Sequence, residues 1–395
     1  MISVQRDVIV VGAGPAGAIC AAYLAKAGID VLLLDKEIFP RDKACGDLLQ
    51  EGVVKHVDAL GAFDALDKMG ACIRKMQLMS NSGSKANIPF ECYCAPRYKF
   101  DILMVNTAVG HGAEFRQGCR VLDVIIENDQ VKGVKVKYRG EESEIGCKLL
   151  IGADGAYSQI AKSLGVMKEK SEATYIGQRA YFKGVKLDRG LSKHQYDTYG
   201  IFCFDDKIKP EYFWVVPCGP GGASEGFCNV GMMVKDRDAY EGESLQDRFW
   251  AWVQSNPQAA RMFEGAQMVS PWAGNKLCDS TQQIQATGNG YILIGDAGAS
   301  MMPLYNDGMT AAANTAKAAA ITAIAAIDHK DTSSAFLEIG MDEAMKPYRV
   351  SDDEAKERKL LSESLYDSKT MERIVQQINR DPVYVKRITK KMMED

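Results

Sequence analysis

The sequence predicts an α/β protein with a discontinuous Rossmann-like nucleotide domain, an inserted antiparallel-sheet substrate domain and a C-terminal helical segment. Three observations predict it. Asp7 to Asp35 reads as strand, glycine turn, helix, strand and closing acid. Two further apolar strands end in glycine turns at Gly152 and Gly295, far along the chain. Between those two, from about Tyr175 to Met233, aromatic residues alternate with polar ones. The boundaries expected are 1–72, 96–168 and 275–330 for the nucleotide domain, 73–95 and 169–274 for the insert, and 331–395 for the helical region.

The first element carries the strongest signal. Val8 to Val11 are continuously apolar, as expected of a strand buried on both faces of a parallel sheet. Gly12, Gly14 and Gly17 follow with GxGxxG spacing. The first permits the tight turn, the second lets backbone approach a pyrophosphate, and the third lets helix pack closely on strand. Pro15 falls in the first helical turn, where proline is tolerated. The helix start offers amide groups and a dipole to phosphate oxygens, and Asp35 offers a carboxylate to ribose hydroxyls.

Composition narrows the class. The 395 residues suffice for two or three domains, and 46% hydrophobic with 25% charged residues is ordinary for a globular protein. A net charge of -4 without a basic block argues against nucleic acid as a partner. The 11 cysteines, an odd number, and the lack of a secretory signal point to a reducing, cytoplasmic setting. Without CxxC, and with His56, His111, His194 and His329 far apart in sequence, no metal site is expected. Val8 to Ala25 is uncharged, but its glycine and proline cluster reads as βαβ and not as a membrane span. No other stretch is expected to approach spanning length without polar interruption.

Taken in order, Lys36 to Asp47 is a polar loop at the strand end where α/β sheets bind ligands. Gln50 to Leu66 has helical spacing, and Ile73 to Phe90 reads as a hairpin turning at Asn81-Ser82-Gly83. Arg97 to Ala113 is expected to be helical, with Phe100, Leu103, Met104 and Ala108 on one face. Short strands follow over Val121 to Glu127 and Val131 to Tyr138. Leu149 to Leu164 is a strand, a Gly152-Ala153-Asp154-Gly155 turn and a helix, which is either an ordinary αβ corner or a turn at the ligand edge. In Tyr212 to Pro217 a period of two puts Tyr212 and Trp214 on one face and Phe213 and Val215 on the other. Either both faces are core, or the first walls an apolar cavity. Gly242 to Met262 reads as one helix, and an Ala-rich helix runs to Ile327. Ser333 to Asp395 is charged and helical in pattern, a solvated cap or a partner surface.

The three stations in this order, GAGPAG at Gly12, GADG at Gly152 and GDA at Gly295, resemble the flavoprotein superfamily of aromatic hydroxylases and geranylgeranyl reductases. Pro40-Arg41-Asp42-Lys43-Ala44-Cys45-Gly46 and Tyr212 to Pro217 are similar to signatures of the geranylgeranyl reductase branch. The resemblance covers residues 1 to about 330. It implies FAD held by Gly12, Gly14, Ala16, Gly17 and Asp35, with Cys45 and Gly46 near its ring and Arg97 reaching toward it. It further implies that Val121 meets the adenine, Asp296 the ribityl or phosphate region, and Gly308 and Met309 the flavin edge.

The function implied is reduction of carbon-carbon double bonds in an isoprenoid or similarly apolar chain. Cys45 is then the candidate catalytic thiol, and Tyr212, Trp214 and Tyr305 the candidate substrate wall. Two departures bear on substrate. Pro303-Leu304-Tyr305-Asn306-Asp307-Gly308 replaces the relatives' small-Gly-Glu-Gly turn, with Asp307 open to reading as a helix cap, and Gly46-Asp47-Leu48-Leu49-Gln50 replaces Gly-Asp-Gly-Leu-Thr. The electron donor expected is NAD(P)H or reduced ferredoxin, because no second GxGxxG unit with helix and acid appears. A monooxygenase acting on an aromatic ring and an electron-transfer protein docking a redox partner are the alternatives. No integral membrane segment is expected, and peripheral membrane contact is left open.

Overall fold

A computed structural model describes residues 5–80, 82–166, 175–187, 199–204, 212–220, 226–235, 243–277, 284–298, 308–349 and 368–393. Two sheets organise them. In the first, Gln5–Val11 lies between Val31–Leu34 and Glu141–Gly152, and Tyr291–Leu293 lies beyond the latter, all parallel. Cys119–Glu127 and Gln130–Tyr138 attach to it as an antiparallel pair. Having left this sheet at Gly152, the chain returns to it at Thr287–Gly288 after crossing into the second sheet, as the two glycine-ended strands led us to expect.

In register, Val11 pairs Gly152 and Gly152 pairs Leu293, so all three glycine turns leave one edge of the sheet side by side. The fit there depends on missing side chains. Gly12 has φ +98°, and a Cβ on it would lie 2.3 Å from the Ala153 carbonyl oxygen. A Cβ on Gly17 would lie 1.8 Å from the Gly12 oxygen, so the helix Pro15–Lys26 sits directly against the turn. That helix packs on the long helix Gly308–His329 through small faces, including Ala18, Ala22, Ala312, Ala316 and Ala319. Alanine costs no side-chain entropy in a helix and lets two axes approach closely.

Among the described residues the second sheet has nine strands, and Tyr199–Cys203 with Ala71–Met79 is their one parallel pairing. Tyr175–Lys183, Cys228–Lys235, Tyr212–Pro217 and Tyr199–Cys203 are consecutive neighbours in it. Its two faces separate as the period of two requires. Phe213, Val215, Phe182 and Met232 are buried beneath the helices Leu245–Ser255 and Pro257–Phe263, with Trp252 stacked on Phe213 at 4.4 Å. Tyr212, Trp214, Phe202, Tyr181 and Met233 face the other way.

Several expectations need correction. Gly242 to Met262 is not one helix: Pro257 starts a second, capped by Asn256, whose Oδ1 accepts from the Gln258 and Ala259 amides. Gln50 to Leu66 likewise divides into Glu51–Ala59 and Phe63–Met69. Leu48–Gln50 and Ala273–Leu277, for which no strand was expected, pair with strands of the second sheet. The helix Gly308–His329 is long and apolar enough to cross a membrane by length and hydropathy, against expectation, but 72% of that apolar window is buried inside the chain. The C-terminal segment is not simply a solvated cap. Met371, Ile374, Val375, Ile378 and Ile388 are buried against the second sheet beside Ile88 and Phe90, on the same face as Trp214. Glu372 fastens it, accepting from the Ser80, Ser82 and Ser84 hydroxyls at 2.5, 2.6 and 2.9 Å.

Because Gly17 has no room for a side chain, Gly17→Ala is expected to lose about 2 kcal/mol in urea denaturation, the usual scale of overpacking. Gly110→Ala, with nothing within 4 Å of the added atom, is the control that should not lose stability. Equal midpoints for both variants would contradict the packing described.

Candidate active site

One cavity of about 860 Å³ opens along the shared edge of the first sheet and continues over the Trp214 face of the second. The sequence-derived residues Gly12, Gly14, Ala16, Asp35, Cys45, Gly46, Arg97, Val121, Tyr212, Trp214, Asp296, Gly308 and Met309 all line it. Gly17 does not; it packs behind Gly12. Tyr305 and Asp307 lie outside the described residues.

At the first-sheet end the helix Pro15–Lys26 begins at Gly14 with no side-chain cap, so its first amides remain available to a ligand. Asp35 is occupied on both oxygens: Oδ2 accepts from the Ala13 amide at 2.7 Å and Oδ1 from the Glu37 amide at 2.8 Å. It thus holds the glycine turn while lining the cavity. The GADG turn is both of the things it offered to be. Ala153 to Tyr157 line the cavity, yet Asp154 caps the next helix, accepting from Ser158 Oγ at 2.5 Å and the Gln159 amide at 2.7 Å. At the third station the Gly295 amide donates to Thr315 Oγ1 at 3.1 Å, tying that turn to the long helix.

The middle of the cavity is electrostatically dense. Arg97 forms a two-pronged pair with Asp101, Nε to Oδ1 at 2.7 Å and Nη2 to Oδ2 at 2.8 Å, and Arg41 Nη1 reaches the same carboxylate at 2.6 Å. Burial works against the Arg97 charge, but Asp101 outweighs it and the guanidinium stays protonated. Burial pushes the Cys45 thiol up, and Arg97, which hydrogen-bonds it, pulls the other way. Burial lowers Lys43, helped by Arg97, while the nearby Asp296 opposes them. Among the described residues no group of three His, Cys, Asp or Glu could hold a metal.

At the second-sheet end Phe90, Phe202, Tyr212, Trp214 and Met233 form an apolar wall, with Arg179 on the same face. Arg179 is 1% exposed, lies 4.5 Å over the Tyr181 ring and pairs with Asp42 at 2.5 Å. Beneath the wall sits Asp47, a fully buried carboxylate at φ 62°. Its Oδ2 accepts from the Tyr181 hydroxyl at 2.5 Å and Asn229 Nδ2 at 2.9 Å, while Oδ1 has no protein partner. Burial raises it to about 6, against the pull of Tyr181 and then Arg179.

Sequence reasoning did not single out Arg41, Asp42, Lys43, Asp47, Arg179 or Asn229. The first four stood inside a recognised loop. Arg179 carried a signal: it is a lone charge at an inward position of a strand that otherwise turns Tyr181 to the same face.

Residues 5–338 match the FAD binding domain family. The chain is 30% identical over 343 residues to the digeranylgeranylglycerophospholipid reductase of Methanosarcina mazei, covering 85% of this chain and 79% of that one. It is 29% identical over 334 residues to the menaquinone reductase of Mycolicibacterium smegmatis, covering 81% and 76%. The fold matches the crystal structure of a geranylgeranyl bacteriochlorophyll reductase-like protein from Thermoplasma acidophilum with a TM-score of 0.83, over 98% of this chain and 96% of that one, at 20% identity.

The Asp47 carboxyl has a higher pKa folded than unfolded, so its contribution to stability is full below the usual carboxylate range and is lost as pH rises through about 6. Asp47→Asn removes that titration. Variant stability relative to wild type should therefore climb between about pH 4 and about pH 6 in thermal melts. A pH-independent difference would contradict a buried, titrating Asp47.

Proposed function

The chain belongs to the FAD binding domain family and is an FAD-dependent oxidoreductase, and we propose that it saturates carbon-carbon double bonds of an isoprenoid chain. The observation that carries this reading is the continuity of the cavity of about 860 Å³. It joins an uncapped helix start and open glycine turn, which fit a pyrophosphate, to an aromatic wall with space for an apolar chain. The related reductases named above act on geranylgeranyl lipid and menaquinone, which supports an isoprenoid substrate for this chain.

FAD, when bound, supplies hydride chemistry. The protein's share is containment and placement. Gly12, Gly14, Ala16 and the first amides of Pro15–Lys26 would hold the pyrophosphate, Asp35 a ribose, and Val121 the adenine. Cys45, Gly46, Asp296, Gly308 and Met309 would surround the ring. An isolated alkene has no polar handle, so Tyr212 and Trp214 orient it by shape and exclude water. Burial holds the Cys45 thiol above its ordinary range, against the pull of Arg97. The reductant is NAD(P)H or reduced ferredoxin, meeting the site transiently. Contact with a bilayer would fall to the helix Pro382–Met393, where Lys386, Arg387, Lys390 and Lys391 occur without an acidic residue.

The test is mass spectrometry of prenyl diphosphates, prenylated quinones and archaeal-type ether lipids after anaerobic incubation with chemically reduced, FAD-loaded protein. Protein-dependent gain of hydrogen pairs is expected. Oxygen insertion into aromatic compounds in air, with no hydrogenation, would move the chain to the monooxygenases. Carrier-linked flavin reduction without any small-molecule product would favour an electron-transfer role.

Cys45→Ala should retain FAD while slowing turnover or altering the product pattern. Unchanged rate and products would remove the thiol from the reaction.

A further inference from the structure

Asn229 is fully buried, and its amide is completely used. Nδ2 donates to Asp47 Oδ2 at 2.9 Å and to the Cys45 carbonyl at 2.8 Å, and Oδ1 accepts from Trp214 Nε1 at 2.8 Å. An indole N–H only donates and a backbone carbonyl only accepts, so the amide fits in one orientation. A flip would set donor against donor and acceptor against acceptor. We propose that Asn229 is a positioning residue, the link that fixes the Cys45 loop at a set distance from the Trp214 wall.

Each end of this link is itself held. Trp214 pairs across the sheet with Gly231, where a Cβ would fall 2.2 Å from the indole ring. The ring therefore lies flat over the strand, and its one polar atom turns to Asn229. At the other end, Asp47 is pinned by Tyr181 from the strand Tyr175–Lys183, in a backbone conformation that non-glycine residues seldom adopt. Tyr181 and Arg179 also tie the loop to this sheet, through Asp47 and through Asp42 and the Lys43 carbonyl, but Asn229 is the group that bonds Cys45, Asp47 and Trp214 together. The inference deepens the function proposed above, because it matters for catalysis only if the flavin lies against Cys45 and the substrate against Trp214. In that arrangement a displacement of about 1 Å costs on the order of a hundredfold in rate.

Asn229→Asp tests the link with no change of shape. It replaces a donor with an acceptor facing two acceptors, the Cys45 carbonyl and the Asp47 carboxylate. The readout is the alkylation rate of Cys45 by a small maleimide in FAD-loaded protein, measured by peptide mass spectrometry against Cys72, which is also partly exposed. With the bond to the Cys45 carbonyl and the bond to the Asp47 carboxylate both lost, the Cys45 to Cys72 rate ratio is expected to rise about tenfold or more. Trp214→Phe removes one arm only and should raise the ratio less, and the double variant should not exceed Asn229→Asp. An unchanged ratio in both single variants, or equal acceleration of Cys45 and Cys72, would overturn the proposal. If Asn229→Asp fails to fold, Trp214→Phe decides alone: a raised ratio supports the link and an unchanged one overturns it. Failure of wild-type protein to hydrogenate any prenyl lipid would refute the function, whereas the alkylation ratio judges the link by itself.

Discussion

The structure depends on a backbone contact that admits no side chain: the Gly12 turn pressed against the Ala153 carbonyl, with Gly17 pressed against Gly12 from the other side. Parallel strands bring three turns to one sheet edge, and only this closeness lets them share a ligand. The Gly12 amide donates to the Leu34 carbonyl at 2.8 Å and the Ala153 amide to the Val11 carbonyl at 2.7 Å, so each turn is hydrogen-bonded to a neighbouring strand. Gly295 approaches the same point, where its Cβ would stand 3.0 Å from Ala16 Cβ. The helix start between them is left without a cap, and phosphate is the chemistry it suits.

The second sheet solves a different problem. One face is aromatic and lines the cavity, and the other is fastened to helices by Phe213, Phe249 and Trp252. Polar groups are gathered behind the aromatic face, where Tyr181 and Asn229 donate to Asp47 Oδ2 and Trp214 donates to Asn229. Buried polar groups left without partners cost stability. Gathering them into one network beside the Cys45 loop turns that requirement into registration between the two halves of the cavity.

Much of this was legible in the sequence because short-range rules govern it. The GxGxxG turn, the terminal acid and the period of two in Tyr212 to Pro217 each have a local physical cause, and thirteen of the positions singled out meet in one cavity. What was not legible depends on long-range contact. Nothing near Asn229 announces that it will meet Cys45, 184 positions away. The C-terminal segment looked solvated because Ile374, Ile378 and Ile388 are diluted by charges, yet the face they share is buried on the second sheet. Similarly, the apolar length of Gly308–His329 reflects burial between helices inside the chain. The splits at Pro257 and after Ala59 fall where Pro257 opens a new helix and Gly61 takes a positive φ.

The most direct test of the account is stopped-flow absorbance of the chemically reduced, FAD-loaded protein mixed with a prenyl lipid in the absence of oxygen. If the cavity seats an apolar chain against the flavin, the oxidised flavin band will return in proportion to the double bonds supplied. A flavin that stays reduced with every prenyl lipid, and reoxidises only when oxygen is admitted, would contradict the account.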